Sequence, residues 1–211
     1  DCLLSRGLGD VYKRQRSVDI PISVKCRTGV DDNDDYLFLK SFIDIVKDSG
    51  IKTFIIHARK GILKGLSPRQ NRNIPPLNYE KVYSIKNDFP NLEIVINGGI
   101  KSISEAKNHL NYVDGVMLGR AAYDNPYMLS EIDSEIYSNA KTDISRKDLL
   151  SEYLDYVHLM TEKGYDPKIM LKHVFGLKKG EKDAKRFRVK VTEVMRSPSL
   201  VENKDELLSM V

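Results

Sequence analysis

The chain has 211 residues, 41% hydrophobic and 30% charged, which excludes a disordered or fibrous protein and allows one domain plus an appendage around a sizeable core. Two cysteines, Cys2 and Cys26, are too few for a disulfide framework, and there is neither an apolar run of about 18 residues to cross a membrane nor the apolar segment of a signal peptide, so a reducing, cytoplasmic setting is expected. The net charge of +4 is uneven: between Lys168 and Arg196 ten Lys or Arg face three acids, a local +7 that leaves −3 elsewhere. Such a cluster is either a solvated face or a basic surface awaiting a polyanion.

Residues 1–15, DCLLSRGLGDVYKRQ, carry neither a helical period nor caps and join abruptly to a strand pattern, so they are read as a leader foreign to the fold. Asp19–Arg27 alternates with period two, placing Ile22, Val24 and Cys26 on one face and Ser23, Lys25 and Arg27 on the other. A polar loop over Thr28–Asp34 leads to a helix over Tyr36–Ser49, with Gly50 at its C-terminal cap. The second strand starts at Thr53 and breaks off at His57 into the loop HARKGILKGLSPRQNRNIPP, followed by a helix over Tyr79–Asn87. Glu93–Gly99 and Asp114–Arg120 read as the third and fourth strands. Ser102–Leu110 is the helix between them, and a short helical stretch follows around Tyr127–Ile132. Beyond Ser145 the strand signal stops, and Lys147–Glu162, Pro167–Phe175 and Asp183–Met195 read as helices. In the last of these Phe187, Val191 and Val194 share one face and Lys182, Lys185 and Arg188 another.

Four successive strand–helix units predict parallel strands. Near their C-terminal ends stand Lys25, His57, Asn97 and Gly119, on the faces of Ser23, Ile55, Val95 and Met117; the opposite faces are aliphatic or aromatic and suit packing under helices. That pattern favours an α/β fold of the (β/α)8 TIM-barrel kind, whose inner face turns polar at the mouth where its sites lie. A doubly wound sheet would bind ligands at the same end and stands as the alternative. A closed barrel needs eight units and about 250 residues. The expected organisation is therefore a leader over 1–15, the C-terminal half of a barrel over 16–140, and a small helical domain over 141–211.

Asn97-Gly98-Gly99 and Gly119-Arg120 end the last two strands, where glycines let backbone N–H groups approach a phosphate and an arginine adds a bidentate grip; turn formation alone is the plainer reading. An ammonium in the mouth, Lys25, needs compensation: it neutralises a reduced flavin, forms a Schiff base, or pairs with a barrel carboxylate. His57 either donates to a phosphate, flavin or substrate oxygen or is hydrogen-bonded structure. The loop bases Arg59, Lys60, Lys64, Arg69 and Arg72 fall in fourteen residues without an acid. With the +7 C-terminal region they make a second positive surface, the pattern of a nucleic-acid substrate.

Together VKCRTGVDD, HARKGILKGLSPRQNRNIPPLNYEKVY, INGGI and DGVMLGRAAYDNPY resemble the tRNA dihydrouridine synthases of the DusA type, over about Val18–Asp133, with looser likeness through HVFGL and the KRFR run. The resemblance implies an FMN-binding barrel with a C-terminal helical tRNA-binding domain, monomeric, reducing uridine at positions 20 and 20a of the tRNA D-loop with NADPH. It implies FMN contacts at Lys25, His57, Asn97, Gly98, Gly99, Gly119 and Arg120. It implies tRNA contacts at Arg69 and Arg72 in the loop and at Lys185 and Arg188 in the helical domain, with no metal. The family protonates uridine C5 from a cysteine in an Asn-x-Gly-Cys-Pro loop, and no such motif occurs in this chain. Cys26 lies on the wrong strand face to replace it and Cys2 lies in the leader, so no residue here is assigned a catalytic role and this stretch alone is expected to be inactive. A non-catalytic tRNA-binding module and a phosphate-binding barrel of small-molecule metabolism are the competing readings.

Overall fold

In the computed structural model, which describes residues 17, 18, 20–137, 144–196 and 200–211, four parallel strands lie side by side in chain order. They are β1 (Ser23–Arg27), β2 (Thr53–His57), β3 (Glu93–Asn97) and β4 (Gly115–Met117). Between them run the helices α1 (Tyr36–Lys47), α2 (Pro68–Asn71), α3 (Tyr79–Asp88) and α4 (Ile103–Leu110). The fold is thus α/β, with consecutive units of β/α-barrel type. The leader reading over 1–15, with Cys2, and residue 19 at the expected start of the first strand fall outside the described residues.

Each strand ends where its neighbour does. The β1 ladder begins with Ser23 level with Thr53, and β4 stops at Met117, level with the last residue of β3, Asn97, so both strands are shorter than their hydrophobic patterns suggest. The helix-facing side is as expected: Phe54, Ile56, Ile94 and Ile96 are fully buried. They pack in one cluster with Leu39, Ile43 and Val46 of α1 and Val82 and Ile85 of α3. At about 1.5–3 kcal/mol per large apolar side chain, this layer is the main force holding helices to sheet. Cys26 belongs to the same face, turned from the mouth, and burial pushes its thiol up to about 12, so it stays protonated at neutral pH.

The face assignment of the opposite side also agrees with the strand alternation, but its rows need correcting. Arg27, not Lys25, is level with His57 and Asn97, and Met117 completes that row. Lys25 sits one rung back, level with Ile55, and Gly119 lies past the end of β4. The reason is that β1 runs two residues closer to the mouth than its motif alone reveals.

Local chemistry explains the helix boundaries. Asp35 caps α1 by accepting from the Phe38 N–H at 2.7 Å, and the helix stops at Lys47 because Gly50, at φ +91°, turns the chain toward β2. The run Ser67-Pro68-Arg69-Gln70 is a capping box with proline at the first helical position: Ser67 N–H donates to Gln70 Oε1 at 2.8 Å, and Gln70 N–H to Ser67 Oγ at 3.3 Å.

The chain divides into two compact units, Asp1–Ile100 with Ser104–Gly119, and Lys101–Ile103 with Arg120–Val211. The second unit is helical. It contains α5 (Arg120–Asp124), a 3-10 stretch Pro126–Glu131 running into α6 (Ile132–Glu135), then α7 (Arg146–Glu162) and α8 (Pro167–Leu171) with a 3-10 turn Lys172–Val174, and finally α9 (Ala184–Val194) and α10 (Leu200–Ser209). The segment expected as one helix over Pro167–Phe175 is this α8 and its tighter last turn. Ser145 and Asp148 form a second capping box at the start of α7. Its own core gathers Leu150, Leu154, Leu171, Phe187, Val191 and Leu207. No helix among the described residues is long and apolar enough to cross a membrane.

Candidate functional site

The C-terminal ends of the strands carry the polar groups. Lys25 Nζ donates to Asn97 Oδ1 at 3.0 Å, and Asn97 Nδ2 donates to the Met117 carbonyl at 2.7 Å, so one amide ties β1, β3 and β4 across the mouth. Partial desolvation holds the Lys25 ammonium below the usual lysine value, opposed by Cys26 and reinforced by Arg27. Among the described residues no carboxylate pairs with Lys25; its partner is the neutral amide. The one acid on this face of β3 is Glu93, at the opposite end of the strand, where it accepts from Thr53 Oγ1 at 2.5 Å. The ammonium therefore reaches the mouth with its charge unneutralised by protein, the state in which it attracts an anionic ligand.

His57 closes β2, half-buried. Its ring abuts the glycine turn that follows β3: a Cβ on Gly98 would stand 3.2 Å from His57 Nε2 and 3.3 Å from Leu77 Cδ2. Gly98 and Gly99 have φ of +114° and +77°, and a Cβ on Gly99 would meet Leu77 Cδ1 at 2.5 Å. Both positions thus need glycine for conformation and for space. The Tyr79 hydroxyl, at the start of α3, donates to the Gly98 carbonyl at 2.8 Å. Gly119 differs: it is exposed, and a Cβ there meets nothing within 4 Å. Lys25, His57, Asn97, Gly98 and Gly99 come together at one end of the sheet. Gly119 closes the first unit and Arg120 opens α5 in the second.

The loop after β2 is held by bonds that its sequence does not advertise. Arg59 turns inward, its Nη1 donating to the carbonyls of Asn73, at 3.2 Å, and Pro75. Arg27 Nη1 donates to the carbonyls of Lys60 at 2.9 Å and Asn71 at 3.0 Å. Asn71 brackets Ile62, accepting from its N–H at 2.8 Å and donating to its carbonyl at 2.7 Å. The loop after β1 is zipped alongside, through Asp31 N–H to the Gly61 carbonyl at 2.7 Å and Gly61 N–H to the Gly29 carbonyl at 2.8 Å.

The expectation of a basic loop without compensating acids is corrected here. Lys60 Nζ donates to the Asp31 carbonyl at 3.1 Å and lies 4.0 Å from Asp34, both from the β1 loop. Lys64, Arg69 and Arg72 remain on the exposed surface, the latter two presented by the one-turn helix α2 and its C-cap. Arg27, Asn71 and Tyr79 are positioning residues that the sequence reading did not single out. The alternation of β1 did place Arg27 on the mouth face; for Asn71 and Tyr79 no local signal existed.

In the helical unit Lys185 and Arg188 are exposed on α9, opposite the buried Phe187 and Val191. Arg188 lines a cavity of about 490 Å³ with Tyr123, Lys172, Phe175 and Lys179, in which Asp124 stands 3.7 Å from Lys179. Two basic surfaces, one per unit, are therefore present. Among the described residues no group of His, Cys, Asp or Glu is placed to hold a metal.

Comparison with known proteins adds to this geometry. The family model for dihydrouridine synthase (Dus) matches residues 11–210. A tRNA-dihydrouridine(20/20a) synthase of Shewanella oneidensis is 46% identical over 176 residues, 83% of this chain and 52% of that protein. The same enzyme of Vibrio cholerae is 44% identical over 182 residues, 86% of this chain and 56% of that protein. This chain spans about half the length of the curated relatives it matches. Among solved structures, phosphoenolpyruvate phosphomutase from Streptomyces platensis subsp. rosaceus overlaps 99% of this chain and 76% of its own at a TM-score of 0.44 and 11% identity, too slight a likeness to bear on fold or function.

Proposed function

The chain belongs to the dihydrouridine synthase family, and we propose that the protein it comes from reduces uridine to 5,6-dihydrouridine at positions 20 and 20a of the tRNA D-loop, using FMN and NADPH. One observation carries this reading: Lys25, an ammonium bonded to a neutral amide and with no carboxylate partner among the described residues, shares the sheet's C-terminal end with a two-glycine turn of positive φ that excludes side chains. That donor set fits a flavin mononucleotide, whose ring gains negative charge on reduction and whose phosphate needs backbone N–H groups. When bound, the flavin supplies the hydride that saturates the C5–C6 bond, and NADPH renews it.

The chain's own residues bind and orient. Lys25, held in place by Asn97, would offer its positive charge to the flavin; His57 would add a ring nitrogen beside Gly98; and Gly98, Gly99, Gly119 and Arg120 would hold the phosphate. Arg69 and Arg72 on the first unit, with Lys185 and Arg188 on the helical domain from about residue 141, grip tRNA phosphates. The proton for C5 comes from a cysteine outside this stretch, since Cys26 faces the helix-side core, and the stretch alone binds without catalysing. The whole protein works as a cytoplasmic monomer.

The test is to express the full reading frame and incubate it with NADPH and unmodified tRNA, then assay dihydrouridine at each position. No product, with flavin bound, would sink the assigned reaction. The 211-residue stretch by itself is expected to retain tRNA and yield none; dihydrouridine from it would overturn the proposed division of labour.

Two variants of the full-length protein separate the cofactor role from the RNA role. Lys25→Ala is expected to emerge colourless, with flavin affinity down at least about tenfold, because a charge-assisted contact of about 1.5–3 kcal/mol is lost. A yellow, fully active variant would show that Lys25 does not serve the flavin. Arg69→Ala with Arg72→Ala is expected to keep its flavin while tRNA affinity falls and the slope of log K against log salt flattens by about 0.7–0.9 per lost phosphate contact. An unchanged slope would place the RNA elsewhere.

A further inference from the structure

The Tyr79 side chain reaches the backbone of the proposed phosphate turn through its hydroxyl. It stands at the first position of α3, against the helix-side core, and its hydroxyl donates to the Gly98 carbonyl at 2.8 Å. Burial raises its pKa above the usual tyrosine value, so the donor proton stays on the oxygen throughout the physiological range. The ring is held edge-on to His109, centroids 4.5 Å apart, and His109 Nδ1 in turn lies 2.7 Å from the Tyr83 hydroxyl. The hydroxyl is thus held by packing on the helix side of the turn.

The consequence follows from peptide geometry. The chain contains no cis peptide bond among the described residues, so the N–H of Gly99 points opposite to the C=O of Gly98 across one plane. A bond that draws the carbonyl toward the helix layer turns the Gly99 N–H away from it. Two successive glycines at φ +114° and +77° leave this peptide little intrinsic preference, and a side-chain bond is what sets its orientation.

We propose that Tyr79 is a positioning residue that fixes the Gly98–Gly99 peptide so that its N–H faces the monophosphate of the cofactor, making the site selective for a phosphorylated flavin over one without phosphate. This rests on the FMN reading above. Tyr79 touches neither the ring nor the phosphate; it acts through the turn.

The test uses the full-length protein stripped of flavin, titrated separately with FMN and with riboflavin by quenching of flavin fluorescence. Wild type is expected to favour FMN. Tyr79→Phe keeps the ring and its packing and removes only the hydroxyl, so riboflavin affinity should hold while FMN affinity falls about three- to tenfold, the worth of one hydrogen bond to a backbone carbonyl. Tyr83→Phe, which removes a hydroxyl from the same aromatic group without touching Gly98, should change neither. Equal losses for both flavins in Tyr79→Phe, no loss, or the same FMN-specific loss in Tyr83→Phe would each overturn the inference. A wild type that binds both flavins equally, or neither, would instead overturn the phosphate reading on which it rests.

Discussion

Gly98→Ala is expected to cost either about 1–3 kcal/mol of stability in the first unit or more than tenfold in flavin affinity. At φ +114° an L side chain is strained whatever the space around it, and the new methyl would stand between the His57 ring, 3.2–3.3 Å away, and Leu77 Cδ2 at 3.3 Å. Two responses are open to the chain. If the turn keeps its shape, the strain is carried in full and denaturation shifts, while His57 is pushed off the position it holds at the mouth. If the turn relaxes to a negative φ, stability is recovered, but the peptide planes rotate and the backbone donors no longer converge. Either way one of two measurements moves, chemical denaturation or flavin titration. Gly65→Ala is the matched control: its φ of +86° brings strain, yet a Cβ there meets nothing within 4 Å. It should lose some stability and no flavin. If Gly98→Ala leaves both quantities at wild-type values, the turn is not the constrained element argued here.

How far the sequence reveals such a site depends on the range of the interactions that build it. The faces of the strands were legible because side chains alternate with period two whatever their neighbours do, and burying Phe54, Ile56, Ile94 and Ile96 settles which face meets the helices. The rows were not legible, because register belongs to pairs of strands: only the ladder shows that Arg27 rather than Lys25 is level with His57. The basic loop misled for the same reason. Its acid partner lies upstream, in the loop after β1, where Asp34 stands 4.0 Å from Lys60, and two of its bases are occupied holding backbone carbonyls. The capping box at Ser67 and Gln70 is wholly local, so the turn that presents Arg69 could have been read directly from Ser-Pro-Arg-Gln. Tyr79 lay beyond reach, since nothing in Leu-Asn-Tyr announces a bond to a glycine nineteen residues on. Helix α10 is hard to read from sequence because the leucines that meet the core, Leu207 and Leu208, are adjacent and show no helical period of their own.

Phe187→Ala should be the most damaging substitution in the second unit. The ring is completely buried among Leu150, Leu154, Leu171, Val191 and Leu207, and removing a buried phenylalanine costs about 3–5 kcal/mol when the cavity cannot collapse. Total domain stabilities run only about 5–15 kcal/mol, so the helical unit would be left near its midpoint. The loss should also be confined. The two apolar clusters share no residue, and Lys25, His57, Asn97 and Gly98 all stand in the first unit. Denaturation followed by far-ultraviolet circular dichroism should then split into two steps, the earlier one helical, while flavin bound to the full-length protein is released only in the later. Affinity for tRNA should fall with the first step, because α9 carries Lys185 and Arg188 on the face opposite Phe187 and cannot present them once unfolded. Val189→Ala on the same helix is the comparison: its side chain is half exposed, and its removal should shift stability by no more than about 0.5 kcal/mol. A single transition in Phe187→Ala, with flavin and tRNA lost together, would mean that the two cores fold as one and that the helical unit does more than hold RNA.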